Sequence, residues 1–318
     1  MNPDMAFTYL DFVEERHRIW EKRQAGLPQP WTEDPILASK KFTCVYRVLD
    51  PGSQYLWKLW AEGEPEDVLM RCFLYRHTGR IEAWDALELT VGLPTVGSLD
   101  QVLEAWRVYR GEGVTKLKNE KPYGERKNRA GGFQKTTYRR SMFTGAYLVF
   151  PQTTIPGTDK LESIIDLTRR LFDPRSDTYV VPDFLAAKTQ AERFAVLRRN
   201  RGVADFMSMQ VLTDWGYSPF VDEDREDEFV VPGPGAKRGL DHLGATLAEA
   251  VQLIWNSRDC PTIKTPSGQL RRPSMMDGQN CLCEYGKYVR FQQRPLSAKP
   301  YVPAHPGPQP DPHMPSHW

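Results

Sequence analysis

The sequence predicts a mainly α-helical fold with few, short strands. Apolar residues recur at helical spacing in its most periodic segments. Between 159 and 172 the stripe is Leu161, Ile164, Ile165, Leu171 and Phe172, and between 242 and 255 it is Leu243, Leu247, Val251, Ile254 and Trp255. Strand-like runs are confined to TCVYRVL, AYLVF and EFVVP, each short enough to be an extended connection instead. Gly, Pro and Asp punctuate the chain at intervals that suit helix ends.

Taken in order, these signals predict helices over 4–25, 64–77, 82–90, 99–110, 159–172, 187–199, 204–214 and 242–255, with the apolar stripes as core faces. A chain of 318 residues, 40% hydrophobic and 26% charged, can bury one large core or two modest ones; residues 1–298 are read as a single helical domain. From Lys299 the tail KPYVPAHPGPQPDPHMPSHW holds seven prolines and three of the six histidines, a composition that predicts disorder. No apolar run is long enough to span a bilayer, and MNPDMAFTYLDFVEERHRIW lacks the plan of a signal peptide, so a cytoplasmic protein with no membrane partner is expected. Five cysteines, mostly scattered, fit reduced thiols, and Cys281-x-Cys283 with Cys260 matches no common zinc spacing, so no metal ligands are assigned.

Net charge is only +1, but its distribution is uneven. Between Arg107 and Arg140 eleven Lys or Arg face three Glu, with Tyr109, Tyr123, Phe133 and Tyr138 interleaved. A glycine-punctuated basic segment with aromatics suits a loop laid along a phosphate backbone, and a solvated surface loop is the plainer alternative. Lys116, Lys118, Arg126, Lys127 and Arg129 are its candidate DNA contacts. Further on, FAVLRRNRGVADFMSMQ reads as a helix, a tight turn at Gly202 and a second helix. That helix–hairpin–helix outline resembles the DNA-gripping element of helical DNA glycosylases, which gives the expected architecture: a DNA-glycosylase-like, bilobal helical fold with Gly202 at a backbone phosphate. In such enzymes a carboxylate about twenty residues later acts on a flipped nucleotide, which falls among VDEDREDEF near Asp224 or Asp227. Phe206 stands where a lyase lysine would, which disfavours Schiff-base chemistry.

The stretch FVVPGPGAKRGLDHLG, 229–244, is not a Walker loop, because no hydroxyl follows its lysine. Glycine amides able to take positive φ, a helix start and two adjacent cations nonetheless suit an oxyanion, so Gly233, Gly235, Lys237 and Arg238 are candidate phosphate ligands; a plain helix-entry turn is the alternative.

Five blocks in order carry a resemblance to a known family: KKFTCVYRVLDPGSQYL, DVLMRCFLYRHTGRIEAWDAL, GVADFMSMQVLTDWGYS, FVVPGPGAKRGL and NCLCEYGKYVR. They resemble the alpha-glutamyl/putrescinyl thymine pyrophosphorylases, the group containing bacteriophage amino acid:DNA transferases, over about residues 30–291. The resemblance implies an enzyme of thymine hypermodification in the cytoplasm of an infected bacterium. A kinase first phosphorylates or pyrophosphorylates 5-hydroxymethyluracil in duplex or locally opened phage DNA, and a free amino acid or polyamine then displaces the phosphate. One departure is His77 in YRHTG, where the family pattern suggests Asn.

With that chemistry in view, Asp214, Glu284 and Lys287 are the candidate catalytic residues. A carboxylate beside cations stays ionised and can anchor an amine or accept its proton, although Glu284 and Lys287 also suit an ordinary helical ion pair. Arg47, Asp50, Arg71, Tyr217 and Arg290 are candidate substrate-binding residues, with a buried structural Arg–Asp pair as the plainer reading of the first three. No cofactor is assigned; Mg²⁺ shared between carboxylates and pyrophosphate is the one alternative, and no spacing demands it. The competing function is a helix–hairpin–helix DNA glycosylase.

Overall fold

In the computed structural model the described residues are 2–111, 142–143, 159–293, 301 and 310–318, together with the paired two-residue strands Leu117–Lys118, Lys121–Pro122, Arg126–Lys127 and Phe133–Gln134. Thirteen α-helices run through them: α1 (Pro3–Gln24), α2 (Pro35–Ser39), α3 (Pro51–Leu59), α4 (Pro65–Thr78), α5 (Ile81–Glu88), α6 (Leu99–Arg110), α7 (Lys160–Phe172), α8 (Val181–Ala186), α9 (Gln190–Arg198), α10 (Asp205–Gly216), α11 (Pro234–Leu243), α12 (Leu247–Trp255) and α13 (Met275–Gln292). The fold is mainly helical, as expected, and TCVYRVL and EFVVP are not strands: the first closes in a 3-10 turn at Arg47–Leu49 and the second is extended. AYLVF lies outside the described residues.

Local chemistry sets the helix ends. Asn2 accepts from Asp4 N ahead of Pro3, Asp34 accepts from Ile36 N and Leu37 N ahead of Pro35, and Thr189–Glu192, Thr246–Glu249 and Ser274–Asp277 form capping boxes. Gly79, Gly111 and Gly244 close α4, α6 and α11 with φ of 65°, 72° and 61°. Gly244 therefore divides the segment 242–255, whose periodic stripe belongs to two helices.

The chain forms two compact units. The first, Met1–Ala61, Ala186–Arg199 and Val203–Trp318, is built around α13, buried on nearly every side. The second comprises Glu62–Leu185 and Asn200–Gly202, with Trp84 and Trp106 edge-on in its core and α4 against α7. Arg110 fixes the start of α7 through a bidentate pair with its cap Asp159 at 2.7 and 2.9 Å.

The tail corrects an expectation. Predicted to be disordered by its prolines, it instead has residues 310–318 lying against the first unit. Gln54 bonds His313 in both directions, at 2.7 and 2.9 Å; the His313 ring stacks on Trp57, and Trp318, only 9% exposed, sits over Arg271 at 3.8 Å. Proline prevents repetitive structure here, but aromatic rings find flat partners without it.

Candidate substrate cavity

A cavity of about 320 Å³ opens in the first unit between α1, the segment 29–32, α2 and the extended segment 40–44. Helical spacing on α1 brings Arg16, Ile19, Trp20 and Arg23 to one wall, at i, i+3, i+4 and i+7. Trp31 closes another side, its indole N–H donating to Leu27 O at 2.7 Å while Lys22 Nζ donates to Trp31 O at 2.6 Å. Phe42, Thr43, Cys44, Lys40 and Tyr301 complete the lining, which holds three cations and four large aromatics but no carboxylate among the described residues.

The floor is anchored from behind by polar groups of α13. Thr43 N donates to Glu284 Oε2 at 3.2 Å, Thr43 Oγ1 to Asn280 Oδ1 at 3.2 Å, and Asn280 Nδ2 to Cys44 O at 2.8 Å. Cys44 N donates to Asp50 Oδ1 at 2.8 Å, and burial pushes the Asp50 carboxyl up to about 6 despite that bond. Arg16, 3% exposed, gives Nε and Nη2 to Thr43 O at 3.1 and 2.8 Å and Nη2 to Cys44 O at 2.8 Å. Its Nη1 has no hydrogen-bond partner, and no carboxylate lies within ion-pair distance among the described residues.

The sequence candidates distribute around this framework. Glu284, 8% exposed, bonds Lys287 at 3.0 Å, and Lys287 also donates to Lys41 O and lies over the Phe42 ring at 4.5 Å. Both stand one layer behind the cavity wall. Asp214 is fully buried, its Oδ1 at 3.7 Å from Arg47 Nη2, while Arg47 N donates to Asp277 Oδ1 at 2.7 Å. Arg47 therefore pairs with Asp214 and not with Asp50, the aspartate beside it in the sequence reading. Arg71 lies in the second unit, donating to Pro94 O at 2.7 Å and to Glu62 O, and so ties a loop of its own unit. Arg290 is exposed beside Phe291. His77 is buried, bonded to Phe73 O at 2.7 Å, and burial lowers it to about 4.

The glycine stretch adopts another geometry than the loop expected of it. Gly233 caps α11 with φ −71°, and Gly235 lies inside the helix. A Cβ on Gly235 would stand 2.3 Å from Cys283 Sγ, and one on Gly239 2.2 Å from Leu282 O; the glycines let α11 lie directly on α13. Lys237 and Arg238 are exposed, with Arg238 Cβ beside Gly286 at the edge of the α11–α13 contact. Gly202 takes positive φ, 102°, in the turn between α9 and α10. Lys118, Arg126 and Lys127 fall in paired two-residue strands, and Lys116 and Arg129 lie outside the described residues.

Two groups were missed in sequence. Arg16 and Arg23 were signalled only by their seven-residue spacing around Trp20. Glu226, inside DEDREDE, is a buried carboxylate that accepts from Tyr217 Oη and pairs with Arg271 Nη2 at 2.7 Å. Burial, then Asp277, pushes it up to about 8.

The arrangement defines a mainly helical domain with a cavity lined by aromatic rings and cations. The chain belongs to the family described as 5-hmdU DNA kinase, helical domain, whose model matches residues 4–298. It is also similar to a 5-hmdU DNA kinase of Bacillus phage SP10, 25% identical over 262 residues that cover 76% of this chain and 36% of that protein. The chain thus spans about a third of that relative's length. The family returned is that of the kinase helical domain, not the pyrophosphorylase group that the five blocks resemble; both concern 5-hydroxymethyluracil in phage DNA. No solved structure matches the chain.

Proposed function

We propose that this domain acts in thymine hypermodification of phage DNA, inside the infected host, by transferring an amine onto (pyro)phosphorylated 5-hydroxymethyluracil. The observation that carries the reading is the cavity: Trp20, Trp31 and Phe42 offer faces for a pyrimidine ring, and Arg16, Arg23 and Lys40 offer charge for its phosphate. The family supports the choice of base. In the reaction the nitrogen lone pair of an amino acid or polyamine forms a C–N bond at the 5-methylene carbon while the C–O bond breaks. Phosphate or pyrophosphate leaves with the bonding pair, and the nitrogen gives up a proton. Charge grows on the departing oxygens, so cations placed there act more strongly in the transition state than before it.

In this reading Glu284 and Lys287 are positioning residues that hold the 40–44 floor, Asp214 and Arg47 brace α10, and DNA is held by the Gly202 turn and the basic segment 107–140. The test is mass spectrometry of nucleosides digested from an oligonucleotide carrying pyrophosphorylated 5-hydroxymethyluracil, after incubation with pooled amino acids and polyamines, with and without Mg²⁺. A new nucleoside, thymidine with one amine attached, is the expected result. An abasic site would replace the reading with a glycosylase. Unchanged, tightly bound DNA would favour a substrate-holding domain, a role consistent with the chain's match to about a third of a kinase and with its lack of a Walker loop.

A further inference from the structure

We infer that Arg16, Arg23 and Lys40 form a phosphoryl-oxyanion subsite in the cavity of the first unit, and that inorganic pyrophosphate binds there. The inference deepens the proposed function by assigning the leaving group to this cavity, not to the 233–238 stretch. Three observations lead to it. Arg16 is a buried cation whose hydrogen bonds go to Thr43 O, Thr43 Oγ1 and Cys44 O, none of them a carboxylate, and its Nη1 has none. Phe12 lies under its guanidinium at 4.9 Å, the Cys281 thiol adjoins it and the Asp50 carboxyl is within electrostatic reach, but none of them forms an ion pair with it.

Arg23 meets Trp31 at 5.4 Å and Lys40 meets Phe291 at 5.3 Å, and neither forms an ion pair among the described residues. Finally, all three line one cavity without a carboxylate among its described lining. A buried cation ordinarily has an anion; here the ligand supplies it. Three cations around one space suit a multiply charged phosphoryl group better than a single carboxylate. The glycine stretch has the opposite character, because its glycines are filled by α13.

The experiment is calorimetric titration of the full chain with inorganic pyrophosphate, in parallel with L-glutamate and with putrescine. Pyrophosphate should bind the wild type, and Arg23→Ala and Lys40→Ala should each weaken it at least fivefold, with the double variant at least twentyfold weaker. Lys237→Ala with Arg238→Ala should leave the affinity within twofold. Arg16→Gln should abolish binding, and because Arg16 is buried its folding is checked by melting; the two exposed-side variants keep the test decisive if it unfolds. No binding of pyrophosphate, equal loss in the Lys237/Arg238 variant, or tighter binding of glutamate would overturn the assignment. Displacement of pyrophosphate by an oligonucleotide with pyrophosphorylated 5-hydroxymethyluracil would identify the base's own phosphates as the natural source. Pyrophosphate binding without nucleoside transfer would sink the amine-transfer reading and leave the subsite standing; transfer without pyrophosphate binding would do the reverse.

Discussion

Buried charge decides what single residues do in this domain. Asp214 and Arg47 pair out of water, and Arg47 also acts on the buried Asp50 carboxyl, whereas Glu226 sits where its own charge is disfavoured. Around the Glu226 carboxyl stand Tyr217 and Arg271 in contact, with Asp277 and Asp224 within electrostatic reach; burial opposes ionisation most, Asp277 adds to it, and Arg271 offsets only part. Its folded value of about 8 exceeds that of an ordinary Glu in the unfolded chain, so the folded state holds the proton more tightly. The stabilisation is therefore complete below the unfolded pKa and is lost as pH rises towards 8. Glu226→Gln, which keeps the shape and cannot ionise, should flatten that slope. Melting curves from pH 5 to pH 9 would check this: wild type should lose stability relative to the variant across the interval, and parallel curves would show that Glu226 stays charged throughout.

At the level of elements, the contact of α11 with α13 is a seam made possible by glycine. Gly235 and Gly239 on one helix face Leu282, Cys283 and Gly286 on the other, close enough that backbone nearly meets backbone. Gly239→Ala would place a methyl 2.2 Å from Leu282 O, and because that neighbour is backbone it cannot rotate away. The expected loss is about 1–3 kcal/mol, read from denaturant midpoints, with Lys237→Ala on the outer face as the neutral control. This seam also explains what could be read in advance. Helices with a solvent face, such as α7, announce themselves by a stripe and a cap. The helix α13 does not, since it is buried on nearly every side and its Gly, Asn and Cys residues blur any period. The sequence Gly-Pro-Gly looks the same whether the glycines serve a ligand or a neighbouring helix, and only the neighbour separates the two. Arg16 left only its spacing with Arg23, because it bonds carbonyls of residues 43 and 44, and a carbonyl leaves no trace in a sequence.

On the scale of the whole molecule, the chain leaves the first unit after Ala61, builds most of the second, and returns to the first, whose surface then receives residues 310–318. The contact is aromatic and specific: His313 on Trp57, Trp318 edge-on to Tyr217 and over Arg271, with Gln54 holding the backbone between. Arg271 is also the partner of Asp224 and Glu226, so Trp318 covers the cation that restrains two carboxylates. Composition alone predicts that deleting this segment changes nothing; the packing predicts otherwise. Ordering a nine-residue extension costs entropy that offsets part of the gain from burying a Trp ring, which leaves a net contribution of about 1–2 kcal/mol. Deleting 310–318 should therefore lower the melting temperature by roughly 3–6 °C, and Trp318→Ala should account for most of that drop. Salt should matter little to the effect, because ring burial is not screened, while a cation–π contribution would weaken as ionic strength rises. An unchanged melting temperature in both variants would return the segment to the disorder that its prolines suggest.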